Sequence, residues 1–222
     1  MRVLIIDTET TGLDPKSDHV IEVGAIVYSV EHGCSLVSYS SLLAAPGNAA
    51  EAINRIPAAA LSYTVHSDPW SIVLEMARQC EVLLAHNAEF DRAFVPAELA
   101  AMEWVCTRSD IAWPKQTKPG SSLVSLALEH DLGVAYAHRA LTDCDLIARL
   151  LTAARKLGSD VGAMIERGRR PKATFAALVS YERREEAKAA GFAWDSGRKI
   201  WHRRMPIEDA AALPFRTRQV AP

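Results

Sequence analysis

The apolar run Val3-Leu4-Ile5-Ile6, cut off by Asp7-Thr8-Glu9-Thr10-Thr11-Gly12-Leu13, constrains this chain more than any other stretch. It reads as a strand that ends in paired carboxylates. Side chains two apart on a strand share a face, so Asp7 and Glu9 point together into one cleft. Two like charges at that spacing raise each other's pKa, and they persist there only if a proton is shared or a cation sits between them. Oxygen ligands with no neighbouring Cys or His favour a hard divalent metal. The pair alone fits equally well a polar turn at the solvent end of a buried strand.

Residues 19–30 are rich in β-formers, with Gly24 marking a bulge or a close backbone approach. After the Glu31-His32-Gly33 turn, residues 34–43 alternate loosely, so the first three strands form an antiparallel meander with Asp7 and Glu9 at its open end. The pattern then switches. Residues 49–64 are Ala-rich, with short helix broken at Pro57, and Ser67-Asp68-Pro69 starts a helix whose Ile72, Val73, Met76 and Ala77 recur with a helical period. Val82-Leu83-Leu84-Ala85 is short, wholly apolar and bounded by polar residues, as suits a strand covered on both faces. Helix follows through Phe94, Val95 and Leu99, then a short strand at Trp104-Val105-Cys106. A loop over residues 113–120 precedes a helix over residues 122–130. Residues 133–137 lead into a last long helix stopped by Gly158. A meander followed by alternating strands and helices implies an α/β mixed sheet with parallel strands added to it.

Composition limits what else the chain can hold. With 222 residues, 49% of them hydrophobic, it has room for one domain of about 150 to 170 residues and a smaller appendage. The apolar run before Asp7 is shorter than the about 7 residues of a signal-peptide core, and no later run approaches the ~18 of a membrane span. A soluble, cytoplasmic protein with no membrane partner is expected. Cys34, Cys80, Cys106 and Cys144 have irregular spacing that fits neither a zinc site nor a disulfide framework, so each is expected as a reduced thiol packed like a small hydrophobe. The net charge of -2 hides an asymmetry: residues 1–165 carry 12 Lys+Arg against 20 Asp+Glu, whereas residues 166–205 carry 11 against 5. An acidic body repels nucleic acid, so a polynucleotide substrate would depend on bound cations and local basic segments.

Three motifs fall at strand ends and helix starts, where ligands of open α/β sheets gather: Asp7 to Leu13, Ala85-His86-Asn87-Ala88-Glu89-Phe90-Asp91, and His138-Arg139-Ala140-Leu141-Thr142-Asp143. In this order and at these intervals, over residues 1–157, they resemble the three motifs of the DEDD superfamily of 3′–5′ exonucleases, histidine subclass (DEDDh, DnaQ-like). That family includes the proofreading subunit of bacterial replicative DNA polymerase. The resemblance implies a ribonuclease-H-like fold, two divalent metal ions (Mg²⁺ or Mn²⁺) and removal of nucleotides from a 3′ end. It implies that Asp7 bridges the ions, that Glu9 and Asp143 help hold the nucleophile-side metal, and that Asp91 holds the leaving-group side. His138 would take the proton from the attacking water. Two metals about 3.5 to 4 Å apart need carboxylates that hold both, and an imidazole titrates near neutral pH. A lone histidine at a helix start is more often a solvated or capping residue; the spacing to Asp143 reverses that.

The resemblance also implies that Thr10, Gly12, Leu13 and Phe90 hold the terminal nucleotide, with Leu13 and Phe90 sandwiching a base without reading its identity. Phe90 fits equally well as a core residue of its own helix. His86 and Asn87 either orient their loop or touch the substrate, with a structural role favoured for His86. Asp145 is expected as a solvated helix acid.

These readings divide the chain into an exonuclease domain at residues 1–160, a basic linker at 161–172, a small β-α-β-β module at 173–206 and a tail at 207–222. Within the module, residues 174–179 read as strand, 182–190 as helix and 192–202 as a hairpin around Asp195-Ser196-Gly197. The run Gly191-Phe192-Ala193-Trp194-Asp195 with Lys199-Ile200-Trp201 is similar to a small module appended to some nucleases and helicases. Trp194 and Trp201, set among Arg198, Lys199, Arg203 and Arg204, either stack on single-stranded nucleic acid or form the module's core. The second reading has the edge, because a small unit needs large aromatics.

The expected function is a metal-dependent exonuclease that acts on DNA 3′ ends and releases nucleoside 5′-monophosphates, in proofreading or repair. Trimming of RNA ends or short oligonucleotides is the alternative among enzymes, because contacts near the 2′ position decide it. A module that binds nucleic acid, a DNA polymerase or a helicase, with the nuclease fold as scaffold, is the alternative from another class. The intact acids and histidine speak against it.

Overall fold

In the computed structural model, β1 (Arg2–Thr10) lies at the centre of a five-stranded sheet. Residues 1–63, 68–118, 120–135 and 137–221 are described. Thr64 of the Ala-rich stretch, Ser67 of the helix-start signal, Pro119 of the loop and Tyr136 before the third motif lie outside the described residues. β1 pairs antiparallel with β2 (Val20–Ser29), and β2 with β3 (Cys34–Leu42), so the expected meander forms. Next come α1 (Glu51–Asn54), a 3-10 turn at Ala58–Tyr63 and α2 (Pro69–Arg78), whose N-terminus is capped by Asp68. β4 (Val82–Ala85) runs parallel to β1. It is followed by α3 (Ala88–Phe94), α4 (Ala97–Ala100) and β5 (Trp104–Cys106), parallel to β4, giving the order β3-β2-β1-β4-β5. α5 (Leu123–Glu129) and the long α6 (Ala140–Lys156) complete the layers.

Side-chain alternation along β1 decides what meets what. Val3, Leu4, Ile5 and Ile6 are all 0% exposed, each contributing about 1.5 to 3 kcal/mol by burial. Val3 and Ile5 pack with α5 and α6, and Leu4 and Ile6 pack with α2, α3 and α4. Asp7 and Glu9 continue the first row and Thr8 the second, so the carboxylate pair faces α6 and the threonine faces α3. Gly24 sits opposite Asp7 on β2, and a Cβ there would lie 2.4 Å from the Ala140 carbonyl carbon. The close backbone approach read from the sequence is thus the seat of the α6 N-terminus.

Several expectations are corrected. The helix after β4 breaks at Val95, which is extended, because the residue before a proline is driven out of the helical region. Ile72 and Cys34 are exposed. The expected linker at 161–172 carries α7 (Val161–Arg169), whose Val161, Ile165 and Gly168 are buried against the nuclease core. β6 (Lys172–Ala177) then opens a second sheet, with α8 (Arg184–Ala189), β7 (Ala193–Asp195) and β8 (Ile200–Pro206). The expected tail adds α9 (Ile207–Ala211) and β9 (Thr217–Val220), which pairs with β6 in the order β7-β8-β6-β9. Phe175, Ala187, Phe192, Met205, Ala210 and Phe215 form its own core. Trp201 packs on that core, and Trp194 lies 5.5 Å away, half exposed. No helix among the described residues is long and apolar enough to cross a membrane.

Candidate active site

A cleft of about 500 Å³ opens at the end of β1, lined by Asp7, Glu9, Thr10, Gly12, Leu13, His86, Phe90, Asp91, His138 and Asp143 among others. Residues from all three sequence motifs therefore converge. Asn87 is the exception: it takes a left-handed conformation (φ 81°) ahead of α3, is exposed and does not line the cleft.

Each acid is placed by a separate device. Asp91, 2% exposed, accepts hydrogen bonds from the Thr8 backbone N–H and hydroxyl, both 2.9 Å, so the threonine row of β1 holds α3 in register. Asp143 stands one turn into α6. That helix start is fixed by Glu22, 3% exposed, which accepts from the Ala140 N–H (3.0 Å) and bonds the Arg139 guanidinium through both oxygens (3.0 and 2.7 Å). His138 precedes the helix with φ 63°, a left-handed conformation that is strained outside glycine.

Glu9, His138 and Asp143 each offer a ligand atom within 4.8 Å of the others. The charges there are poorly compensated. Burial, then Asp91, Asp143 and Glu9, hold Asp7 well above the usual carboxylate range. Burial together with Asp143 and Glu22 pushes Glu9 to about 8. Burial raises Asp91 to about 7 against the Thr8 hydrogen bonds, and raises Asp143 to about 6 against the pull of His138. Asp143 Oδ1 is buried without a hydrogen-bond partner. Clustered oxygens, an orphaned carboxylate atom and mutual repulsion are what a site for hard divalent cations offers before the ion is counted.

The remaining walls differ in character. Leu13 is 84% exposed at the rim and Phe90 is half-buried, its ring 4.9 Å from that of Phe94, so Phe90 is a cleft wall with partial packing behind it. Thr10 is buried and donates its hydroxyl to the Gly12 carbonyl, which shapes the turn. Both ring nitrogens of His86 are engaged, with Thr107 Oγ1 and the Ser121 carbonyl at 3.1 Å, and burial lowers its pKa to about 4. That ring ties two loops together, in line with the structural reading. Asp145 is exposed and faces Arg149, away from the cluster.

Sequence reasoning missed Thr8, Glu22, Arg108 and the wall made by Ala50, Ile53 and Asn54. Glu22 had a signal, being a lone acid inside an apolar strand. Asn54, 1% exposed, donates to the Thr10 carbonyl across 44 residues of sequence, which no local pattern reveals.

Comparison with known proteins fits this geometry. The DNA polymerase III subunit epsilon of Treponema pallidum (strain Nichols) is 31% identical over 163 residues, 66% of this chain and 73% of that protein. Exonuclease X, solved in complex with 5′ overhanging duplex DNA, is 29% identical with TM-score 0.56, over 75% of this chain and 99% of that one. E. coli Exonuclease I, solved with a dT13 oligonucleotide, shares the fold at 13% identity and TM-score 0.59, over 85% of this chain and 50% of that one. Residues 173–220 match a domain of unknown function (DUF8626). The sheet order is the expected ribonuclease-H-like one, residues 4–151 match the family described as Exonuclease, and by that match and these relatives the chain belongs to the exonuclease family.

Proposed function

We propose that the chain is a 3′–5′ exonuclease acting on DNA, with Asp7, Glu9, Asp91 and Asp143 as ligands of two divalent ions, Mg²⁺ or Mn²⁺, and His138 as the general base. The observation that carries this is the meeting of Glu9, His138 and Asp143 within 4.8 Å, from positions more than a hundred residues apart, beside Asp7. Bound metals would lower the pKa of a coordinated water and stabilise charge on the leaving 3′ oxygen.

The chain's own residues do the rest. Leu13 and Phe90 grip the terminal base without reading its identity, and the Thr10–Gly12 turn presents that grip. The left-handed backbone at His138 holds its imidazole next to Asp143 and Glu9, where it takes a proton from the attacking water. Glu22 keeps that backbone fixed by accepting from the Arg139 guanidinium and the Ala140 N–H, the two residues that follow His138. Asp91 is held by two donors from Thr8 and so keeps its position as the terminal nucleotide changes. Release of nucleoside 5′-monophosphates follows from breaking the bond to the 3′ oxygen.

The relatives named above favour DNA over RNA and a polymerase as a partner. We keep the division into a nuclease domain and a small module, with α7 counted in the former. A 5′-labelled oligodeoxynucleotide and its RNA counterpart, incubated with Mg²⁺ or Mn²⁺, test the reading. Wild type should shorten the DNA from its 3′ end faster than the RNA, and Asp7→Ala should do neither. Undiminished cleavage by the variant would remove the site assignment, and faster RNA digestion would remove the DNA assignment.

A further inference from the structure

The basic excess of the C-terminal region is mostly held inside the fold. Arg169 bonds Glu103 and Glu166, Arg170 bonds Glu208 and Asp209, Lys172 bonds Asp110, Arg183 bonds Glu186, and Arg203 donates to the Ala190 carbonyl. Among the cations left outside these bonds, two arginines and a histidine are brought together by the second sheet. His202 is opposite Ala176 and Ala193, Ala176 is opposite Arg218, and Arg204 is opposite Thr174. Directly opposed residues share a face, so Arg204, His202 and Arg218 stand together on one face, with the small residues Thr174, Ala176 and Ala193 between them. Trp201 and Met205 alternate with them and belong to the other face, that of the module's core.

The cationic face is the one turned to the nuclease. Lys172, on that face, forms its buried bond with Asp110. Arg204 Nε lies 3.9 Å from Glu89, the residue that precedes Phe90 and Asp91 on α3. Both partners of that contact are exposed (53% and 81%), so it is weak and readily exchanged for a phosphate. Among the described residues no acid is in ion-pair reach of Arg218. The other acid on this face, Asp195, accepts from the Gly197 and Arg198 N–H groups and lies within 3.6 Å of Arg198. A cleft walled by four carboxylates cannot by itself draw in a polyanion, and a cationic surface at its edge supplies the missing attraction.

We propose that this face is the track for the body of the substrate. Single-stranded DNA with its 3′ end in the cleft continues past α3 onto the second sheet, where Arg204 and Arg218 contact backbone phosphates beside His202. This rests on the exonuclease reading of the cleft. It gives the second sheet a role in substrate length rather than in chemistry, and it puts the strand on the face opposite Trp194 and Trp201.

The test compares the full chain with its Arg204→Glu/Arg218→Glu variant, both side chains being exposed. Binding of a 5′-labelled oligodeoxynucleotide of about twenty nucleotides is followed by anisotropy in Ca²⁺, and digestion of substrates of about twenty and about three nucleotides is followed in Mn²⁺. Kd for the long strand should rise at least about tenfold, and its dependence on log salt should flatten by about 1.4, roughly 0.7 per lost phosphate contact. The ratio of kcat/KM for long over short substrate should fall about tenfold with it. Arg204→Gln/Arg218→Gln, which adds no repulsion, should shift Kd in the same direction at an unchanged Tm. An unchanged Kd, or an equal loss on both lengths, overturns the proposal. So does Trp194→Ala if it causes the loss and the arginine variants do not. A wild type that binds through these arginines yet digests neither substrate would fail the exonuclease reading and still support the surface.

Discussion

At the scale of single residues, the cleft is a place where the fold works against itself. Asp143 at about 6, Asp91 at about 7 and Glu9 at about 8 each bind a proton more tightly in the folded protein than in the unfolded chain. Stability from such raised groups is fully present below the unfolded carboxylate pKa and is lost as pH rises through the folded values. The metal-free protein should therefore melt at a progressively lower temperature from about pH 4 to about pH 8, by differential scanning fluorimetry. Mn²⁺ at a hundred times its Kd should restore about 2.7 kcal/mol at pH 8, on the order of 5 to 10 °C. A flat profile, or no response to metal, would mean that the carboxylates are not strained by one another. Asp143→Asn should raise the metal-free melting temperature at pH 8 while lowering cleavage by more than about 100-fold, the pattern expected where function and stability conflict. Strand alternation pairs Asp7 with Glu9, whereas Asp91 and Asp143 were picked out only by the resemblance of the second and third motifs. Their shared burial was not legible, since it depends on α6 and α3 arriving from 136 and 84 residues away in sequence, counted from Asp7 to Asp143 and Asp91.

Among elements, the seating of α6 on β2 matters most, because Asp143, His138 and the Arg139–Glu22 clamp all move with it. Gly24→Ala puts a methyl group 2.4 Å from the Ala140 carbonyl carbon, against backbone that cannot rotate away. It should cost about 1 to 3 kcal/mol by denaturant titration and lower kcat well beyond what the remaining folded fraction explains. If activity tracks folded fraction alone, α6 does not position the chemistry. Glu22→Ala leaves the Ala140 N–H and Arg139 without their acceptor and should cost a further about 1 to 3 kcal/mol. The sequence made the glycine conspicuous, as a β-breaker in a run of β-formers. Glu22 stood out as a lone acid in an apolar strand, but its partners, Arg139 and Ala140, lie more than a hundred residues away in sequence and no local pattern names them. α7 was obscured by its charge: Arg167, Arg169 and Arg170 read as a linker, although Val161, Met164, Ile165 and Gly168 recur at helical spacing on its other side.

For the whole molecule, the two sheets are joined by more than chain connectivity. Lys172 Nζ lies 2.7 Å from Asp110 Oδ2 with both side chains nearly inaccessible, 6% and 4% exposed. Lys172→Met strands a buried carboxylate and should cost about 3 to 5 kcal/mol, read as a lower urea midpoint or as a split of one unfolding transition into two. A normal midpoint would show that the carboxylate finds water. Sequence reasoning foresaw a second unit from its aromatic and basic content. It stopped that unit at residue 206, because the pairing of β9 with β6 spans some forty residues and leaves no hairpin signal. That pairing also sets an order of events on the ribosome. The nuclease sheet has all five strands once residue 106 has emerged, whereas β6 keeps one open edge until residues 217–220 follow it out. For that interval a nascent chain holds a finished catalytic sheet tethered to an unsealed one, the moment in its synthesis most open to mispairing with a neighbour.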